Sequence, residues 1–419
     1  MKSCGVVRVM GQLIVALVML VAPSVSRAAD RPCTFNIEGG SQVNALFPDE
    51  SATYWPSNAP IPDGGYVEIH GQFPHARYMS WTTYTPQLQS VDGLNDTQIL
   101  PDPGSTNPYL VGADRTAVKR DYTVRIVKGQ VPAGGRAPNT IYTTSADGSK
   151  SGGTAQRFSL RIYDPDMGTD REGGVPLPQV TIVTSSGTRI PVPSCPDQAP
   201  PDTGLTSILA NSGTGAQLPA GTNVRATNPP AWHKFTSLGS ALTGDSSLGG
   251  PEGGFGDNPD NKYVFTFFSQ DFGQVLLLRA KAPSFPHTDA GEPVMGSGQV
   301  RYWSFCTNSQ ATNFYACRQD EQVQTDQAGN FAVVVSTAAA RPRNATGACG
   351  FTWLPSGPLN TSVLILRNML PDPTFREAIQ NTQPGTEAKV MGPYYPDGKY
   401  YATTADFERL GCPAKEGNS

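Results

Sequence analysis

Of 419 residues, 44 are glycine and 38 proline, a share short of the ~25–30% that marks low complexity, and charged residues make up 16%. This balance fits an ordered, loop-rich, mostly β protein and excludes intrinsic disorder, a coiled coil and a helical bundle. Thirty-one basic residues stand against 35 acidic ones without a basic block, so no nucleic-acid partner is expected.

Residues 1–28 read as a secretory signal peptide: Lys2 and Arg8 precede an apolar run from Leu13 to Val21, and Ser26 and Ala28 are small residues suited to cleavage. That run is well below the ~18 residues needed to cross a bilayer, so the mature chain, starting near Ala29, is expected to have no transmembrane segment and to be secreted or periplasmic. Losing Lys2, Arg8 and Arg27 leaves 28 basic against 35 acidic residues and a net charge near −7.

Comparison of the chain with itself shows five matches in the same order. Tyr66–Gly71 matches Val275–Ala280, Arg77–Trp81 matches Arg301–Phe305, and Tyr122–Val127 matches Phe331–Val335. Asn139–Tyr142 then matches Phe351–Leu354, and Phe158–Pro165 matches Leu364–Pro371. Each stretch is rich in β-branched and aromatic residues and bounded by Gly, Pro or Asp, which is the signature of a strand. The predicted fold is mostly β: two tandem antiparallel β-sandwich domains related by internal duplication, over 29–195 and 263–419. A Pro/Gly-rich connection spans 196–262, with one short ordered piece around Ala231–Leu238. Near the end, Asp372–Ile379 and Thr404–Leu410, the latter stopped by Gly411, read as short capped helices.

Six cysteines follow the signal, and an even number in an oxidising compartment favours disulfides over metal ligation or catalysis. Their positions suggest Cys33 with Cys195, Cys306 with Cys317, and Cys349 with Cys412.

The strand Arg301-Tyr-Trp-Ser-Phe305, the later Trp353-Leu-Pro355 and the Leu366-Arg367 strand that runs on to Asp372-Pro373 carry a resemblance. The pattern resembles bacterial exported envelope proteins of unassigned function built from duplicated β-sandwich domains. The likeness is strongest over 301–373 and weaker over 66–166. It implies a bacterial exported β protein and supplies no catalytic residues.

No nucleophile elbow, zinc helix, Walker loop or dinucleotide fingerprint occurs, and the catalytic residues stay unassigned. Residues shared by the two copies, His75 with His287, Arg77 with Arg301 and Arg161 with Arg367, are expected to hold the fold, the arginines by burying their stems and pairing with carboxylates. Features of one copy are better functional candidates. Glu68 and His70 point to one face of a strand and could share a proton or a metal. The 92–109 loop carries Asp92, Asn95, Asp96, Gln98, Asp102 and Asn107, groups that suit sugar hydroxyls or a hard cation, or that satisfy the loop's own backbone. Asp164, Asp166, Asp170 and Glu172 surround Gly168 and partly imitate a Ca2+ loop, without its closing glutamate at the twelfth position. Tyr394 and Tyr395 precede a Pro-Asp-Gly turn and offer rings for a flat ligand or for the core.

The expected function is that of an exported ligand-binding or envelope-associated protein, its partner a small molecule or a glycan. The alternatives are a secreted hydrolase that acts on a polymer with carboxylates or a bound cation, and a structural surface protein.

Overall fold

The computed structural model describes residues 33–35, 44, 46–153, 155–195, 226–236, 256–309 and 313–412. The first half carries β1 (Ala52–Pro60), β2 (Tyr66–Gln72), β3 (Ala76–Tyr84), β4 (Ser90–Asn95), β5 (Asp121–Gln130), β6 (Thr140–Thr144), β7 (Ala155–Pro165), β8 (Gln179–Val183) and β9 (Arg189–Pro191). The second carries β10 (His233–Lys234), β11 (Asn261–Ser269), β12 (Val275–Lys281), β13 (Val300–Asn308), β14 (Phe314–Gln319), β15 (Asn330–Ser336), β16 (Thr352–Pro355), β17 (Thr361–Pro371) and β18 (Asp397–Tyr401). Two short helices, α1 (Glu387–Met391) and α2 (Thr404–Glu408), lie near the C-terminus.

The described strands form four sheets, ordered β1-β7-β3-β4 and β6-β5-β2-β8-β9 in the first half and β10-β11-β17-β13-β14 and β16-β15-β12-β18 in the second. All ten strands of the five matched stretches therefore occupy corresponding places in corresponding sheets. The pairing is antiparallel except for β5 with β6 and β15 with β16, which run parallel.

In each half the two sheets enclose one apolar cluster. In the first half Trp55, Met79, Trp81, Leu160 and Ile162 meet Val67, Ile69, Val124, Ile126 and Val180. Alternation explains the choice: on β2 and β5 these residues point inward, while Glu68, His70, Thr123 and Arg125 take the opposite face. The second half repeats this with Val264, Trp303, Phe305, Leu364 and Leu366 against Leu276, Leu278, Val333 and Val335. Each such side chain contributes about 1.5–3 kcal/mol by leaving water.

β3 departs from alternation, with all nine residues buried. Its Met79 and Trp81 enter the first core, while Tyr78 joins Tyr163 of β7 in a cluster with Tyr302 and Met369 of the second half. Tyr163 meets Tyr302 edge-on at 5.5 Å between ring centroids. The described residues of both halves belong to one compact unit.

The disulfides join Cys33 to Cys195, Cys306 to Cys317 and Cys349 to Cys412, the pairs that their positions suggest. The helix expected at Asp372–Ile379 is absent. Asp372 accepts from the Thr374 amide at 2.8 Å and holds a turn, and the chain coils only as a 3-10 turn at Ile379–Asn381. The second expected helix is α2, capped by Thr403, which accepts from the Asp406 amide. The Pro-Asp-Gly sequence opens β18, with no hairpin tip, and β18 pairs with β12. A Cβ on Gly398 would stand 2.2 Å from the Pro230 ring. Of the ordered piece expected near Ala231–Leu238, β10 pairs with β11 and Trp232 enters the second core; residues 237 and 238 lie outside the described residues.

Candidate functional site

Among the described residues, a dense group of ionisable side chains lies where the halves meet, and it begins with the arginines that occupy the second position of β3 and β13. Arg77 is fully buried. Its Nε donates to Thr288 Oγ1 at 2.6 Å, Nη1 to Asp320 Oδ1 at 3.0 Å and Nη2 to Glu321 Oε1 at 3.0 Å. Nη2 also lies 3.5 Å from Asp289 Oδ1 and 3.1 Å from Asp164 Oδ2, the latter an ion pair without hydrogen-bond alignment. Only Asp164 belongs to the first half. Arg301 makes the reciprocal crossing, with Nη1 donating to Asp96 Oδ1 at 3.1 Å and to the Arg77 carbonyl at 3.2 Å. Nη2 donates to the Tyr109 carbonyl at 3.1 Å.

The two aspartates are themselves equivalent. Each opens a three-residue 3-10 turn after β4 or β14, and each turn is closed by a capping box, Asn95 with Gln98 and Gln319 with Gln322. Asp96 Oδ2 accepts from the Met79 amide and Asp320 Oδ2 from the Trp303 amide, both at 3.0 Å. Burial pushes both carboxyls up to about 6, while Arg301 and Arg77 pull the other way. Asp164 is pushed up to about 9, first by burial, with Arg77 opposing and a hydrogen bond shared with Asp289 adding to the rise. Burial alone would lower Arg77, but the surrounding carboxylates, Asp320 foremost, hold it above its ordinary value.

The 92–109 stretch, expected as a loop, begins on β4, which carries Asp92 and Asn95, and its polar groups are taken up by other parts of the protein's own chain. Asp92 accepts from Arg136 Nη1 and Nη2, at 2.8 and 2.5 Å, and from the Tyr142 amide at 2.7 Å. Asn107 Nδ2 donates to the carbonyls of Asp96 and Ile99, and its Oδ1 accepts from the Tyr109 amide. Asp102 accepts from Thr123 Oγ1 at 3.0 Å and stands 3.4 Å from His70 Nδ1. Asp96, a candidate for sugar hydroxyls or a hard cation, is instead fully buried, because its turn folds under β3 and against the second half.

The four acidic residues around Gly168 do not converge. Asp164, with φ of 53°, turns toward Arg77. Asp166 accepts from Arg115 Nη2 at 2.5 Å, and Asp170 accepts from the Gly174 amide. Glu172 borders, with Gln72, Pro74 and Tyr122, a hollow of about 10 Å³, far below the ~300 Å³ at which ligand pockets usually begin. Asp49, Cys306 and Cys317 also lie within ligating reach of one another, but both sulfurs are disulfide-bonded and carry no thiolate. Tyr394 is buried against Phe375 and its hydroxyl accepts from Gln299, while the Tyr395 hydroxyl accepts from the Trp232 amide. These rings serve the second core.

Glu68 and His70 share the outer face of β2, as alternation predicts. Glu68 accepts from Arg189 and lies 3.6 Å from Arg125, whose guanidinium stands 4.7 Å from the centre of the Tyr66 ring. Arg125, Arg189 and His70 are each about half exposed. The corresponding face of the second half is covered around Val275, Leu277 and Val334, which pack with Phe351 and with Phe407 of α2 beside the Cys349–Cys412 bridge, while Arg279, the counterpart of His70, stays exposed. The acidic ring around Arg77 was missed in the sequence, where the one available signal was an arginine at the same place in the two matched strands.

No protein-family model matches this chain, and no curated protein matches it. Among solved structures it is similar to an uncharacterised protein from Burkholderia cenocepacia, at 13% identity and a TM-score of 0.51, over 90% of this chain and 83% of the other. A second similar structure is the VPA0106 protein from Vibrio parahaemolyticus, at 12% identity and a TM-score of 0.40, over 85% of this chain and 91% of the other. The first of these shares the mostly β fold.

Proposed function

We propose that this chain is an exported bacterial envelope protein of duplicated β-sandwich design that binds hydroxyl-rich envelope glycans through the outer face of β2, β5, β8 and β9. The observation that carries the reading is the asymmetry between the halves. A face that the second half buries in part under its own chain stands open in the first, lined by Tyr66, Glu68, His70, Arg125 and Arg189. Donors and acceptors alternate across it with little net charge, which suits sugar hydroxyls better than a polyanion or polycation. Three disulfides support an oxidising compartment. Equal strand order, with Arg77 and Arg301 at the same place, supports duplication. The hydrolase alternative needs carboxylates open to a polymer, and the burial of Asp96, Asp164 and Asp320 counts against it.

The test is calorimetric titration of the purified protein with soluble peptidoglycan fragments and with chitooligosaccharides. Saturable binding that falls at least tenfold in Glu68→Ala/Arg125→Ala, with the melting temperature nearly unchanged, is expected, because exposed ion pairs contribute only about 0–1 kcal/mol. Absence of binding to both probes would overturn the glycan reading. A product retained in the cytoplasm with its N-terminal 28 residues attached would overturn export.

A further inference from the structure

Each half receives on its outer surface a segment that leads into a strand of the other, β1 in the first half and β11 in the second. Before β1, Phe47 packs among Phe235, Phe265, Phe267, Val363 and Ile365, all from the second half. Its carbonyl and that of Pro48 accept from Arg367 Nη2 at 2.8 and 3.3 Å. Asp49 follows, accepting from Ser304 Oγ at 2.6 Å, and Glu50 accepts from the Cys317 amide. Before β11 the chain does the converse. The carbonyls of Gly256 and Asp257 accept from Arg161 Nη2 of the first half at 2.6 and 3.0 Å. Asp257 Oδ2 accepts from Ser90 Oγ at 2.6 Å, and the Tyr78 hydroxyl donates to Asp260 Oδ2 at 2.7 Å.

The correspondence extends to backbone. Arg161 and Arg367 hold the same place on β7 and β17. Each bonds the two carbonyls that stand five and four residues before β11 or β1 of the other half. The first residue of each pair, Phe47 or Gly256, has positive φ, 56° and 66°. At the other end of the same strands Asp164 and Leu370 also share positive φ, and their amides donate to Ser51 and Asp260, the residues just before β1 and β11. Together with Arg77 on Asp320 and Arg301 on Asp96, this makes four arginines, three buried and Arg301 nearly so, whose guanidinium groups donate across the junction. A half on its own would trade these acceptors for water and would expose the apolar surface that the junction covers, the Tyr78–Tyr163–Tyr302 cluster and the Phe47 pocket among it.

We infer that the two halves form an intramolecular dimer with exchanged lead-in segments: each half is a docking surface whose occupant is the other half, and neither keeps its fold when parted from it. Residues 256–260, which by sequence fall in the connection, thereby belong to the surface of the first half. The interface is isologous in kind, the same patch used twice in reciprocal sense.

The experiment uses the full mature chain with a specific protease site inserted after Gly213, outside the described residues. No disulfide crosses that point, since Cys33–Cys195 precedes it and the other two follow it. After complete cutting, two bands on a non-reducing denaturing gel but one species at the intact elution volume, at micromolar concentration, is the expected result. Two separately eluting folded halves would overturn the inference. Scanning calorimetry of the uncut chain is independent of the insertion: one transition is expected, and two transitions assignable to the halves would overturn it. In the cut protein Arg161→Met/Arg367→Met should raise the concentration at which the halves part by at least tenfold, and an unchanged value would count against the exchange.

Discussion

Replacing Arg77 by methionine keeps most of the stem's volume and removes the charge and all five donors. It strands Asp320, whose side chain is fully buried, while Asp289 and Glu321 are near 20% exposed and better screened by water, and Asp164, which burial keeps protonated to about 9, loses a neighbour and no countercharge. Removing one member of a buried ion pair costs about 3–5 kcal/mol, because the partner remains buried and uncompensated. Here the folded protein has a partial escape, which is to take up protons. Without Arg77 the carboxyls hold protons to higher pH than the ~4 of an unfolded chain, so the native state binds more protons between pH 5 and 8 and stability falls as pH rises. We expect Arg77→Met to lose about 4 kcal/mol at pH 8 and less than half of that at pH 5. Urea unfolding followed by tryptophan fluorescence at both pH values measures this. Arg301→Met, which strands the single carboxylate Asp96, should show a smaller loss and a shallower slope. A loss below about 1 kcal/mol at pH 8, or one that grows on acidification, would refute the charge argument and leave Arg77 as packing.

Asp164 keeps its proton when folded, to about 9, and gives it up near 3.8 when unfolded, so its contribution is full below about pH 4 and is lost as pH rises toward 9. Asp164→Asn mimics the neutral acid and should flatten the fall of melting temperature between pH 6 and 9; equal slopes in parent and variant would contradict this. Asp96→Ala should cost about 3 kcal/mol or more by stranding Arg301, whereas Asp102→Ala, at the edge of the same loop, should stay within about 0.5 kcal/mol. Similar losses at the two positions in denaturant titration would show that burial does not distinguish them.

Strand positions were legible in the sequence because alternation and β-rich composition are local, and the five matched stretches all became strands in corresponding order. Cysteine pairing was legible too, since two bridges close within the second half and one brackets the first. Asp372–Ile379 misled because Asp372 and Pro373 begin an Asx turn as readily as a helix. Tyr394 and Tyr395 could not be sorted into surface or core, since that depends on Phe375 and Trp232, distant in sequence from the turn they meet. The acidic loop posed the same problem at higher stakes. Asp96 and Asp102 look alike as letters, yet one is sealed under Arg301 and the other sits beside His70 at the rim. Local chemistry, read residue by residue, determined the strands, the turns and the redox class. That neither side of β3 meets water, which carboxylates lose it and where residues 256–260 pack were decided only by the docking of the two halves. Burial is a property of what lies opposite, and here the opposite surface is some 200 residues away along the chain.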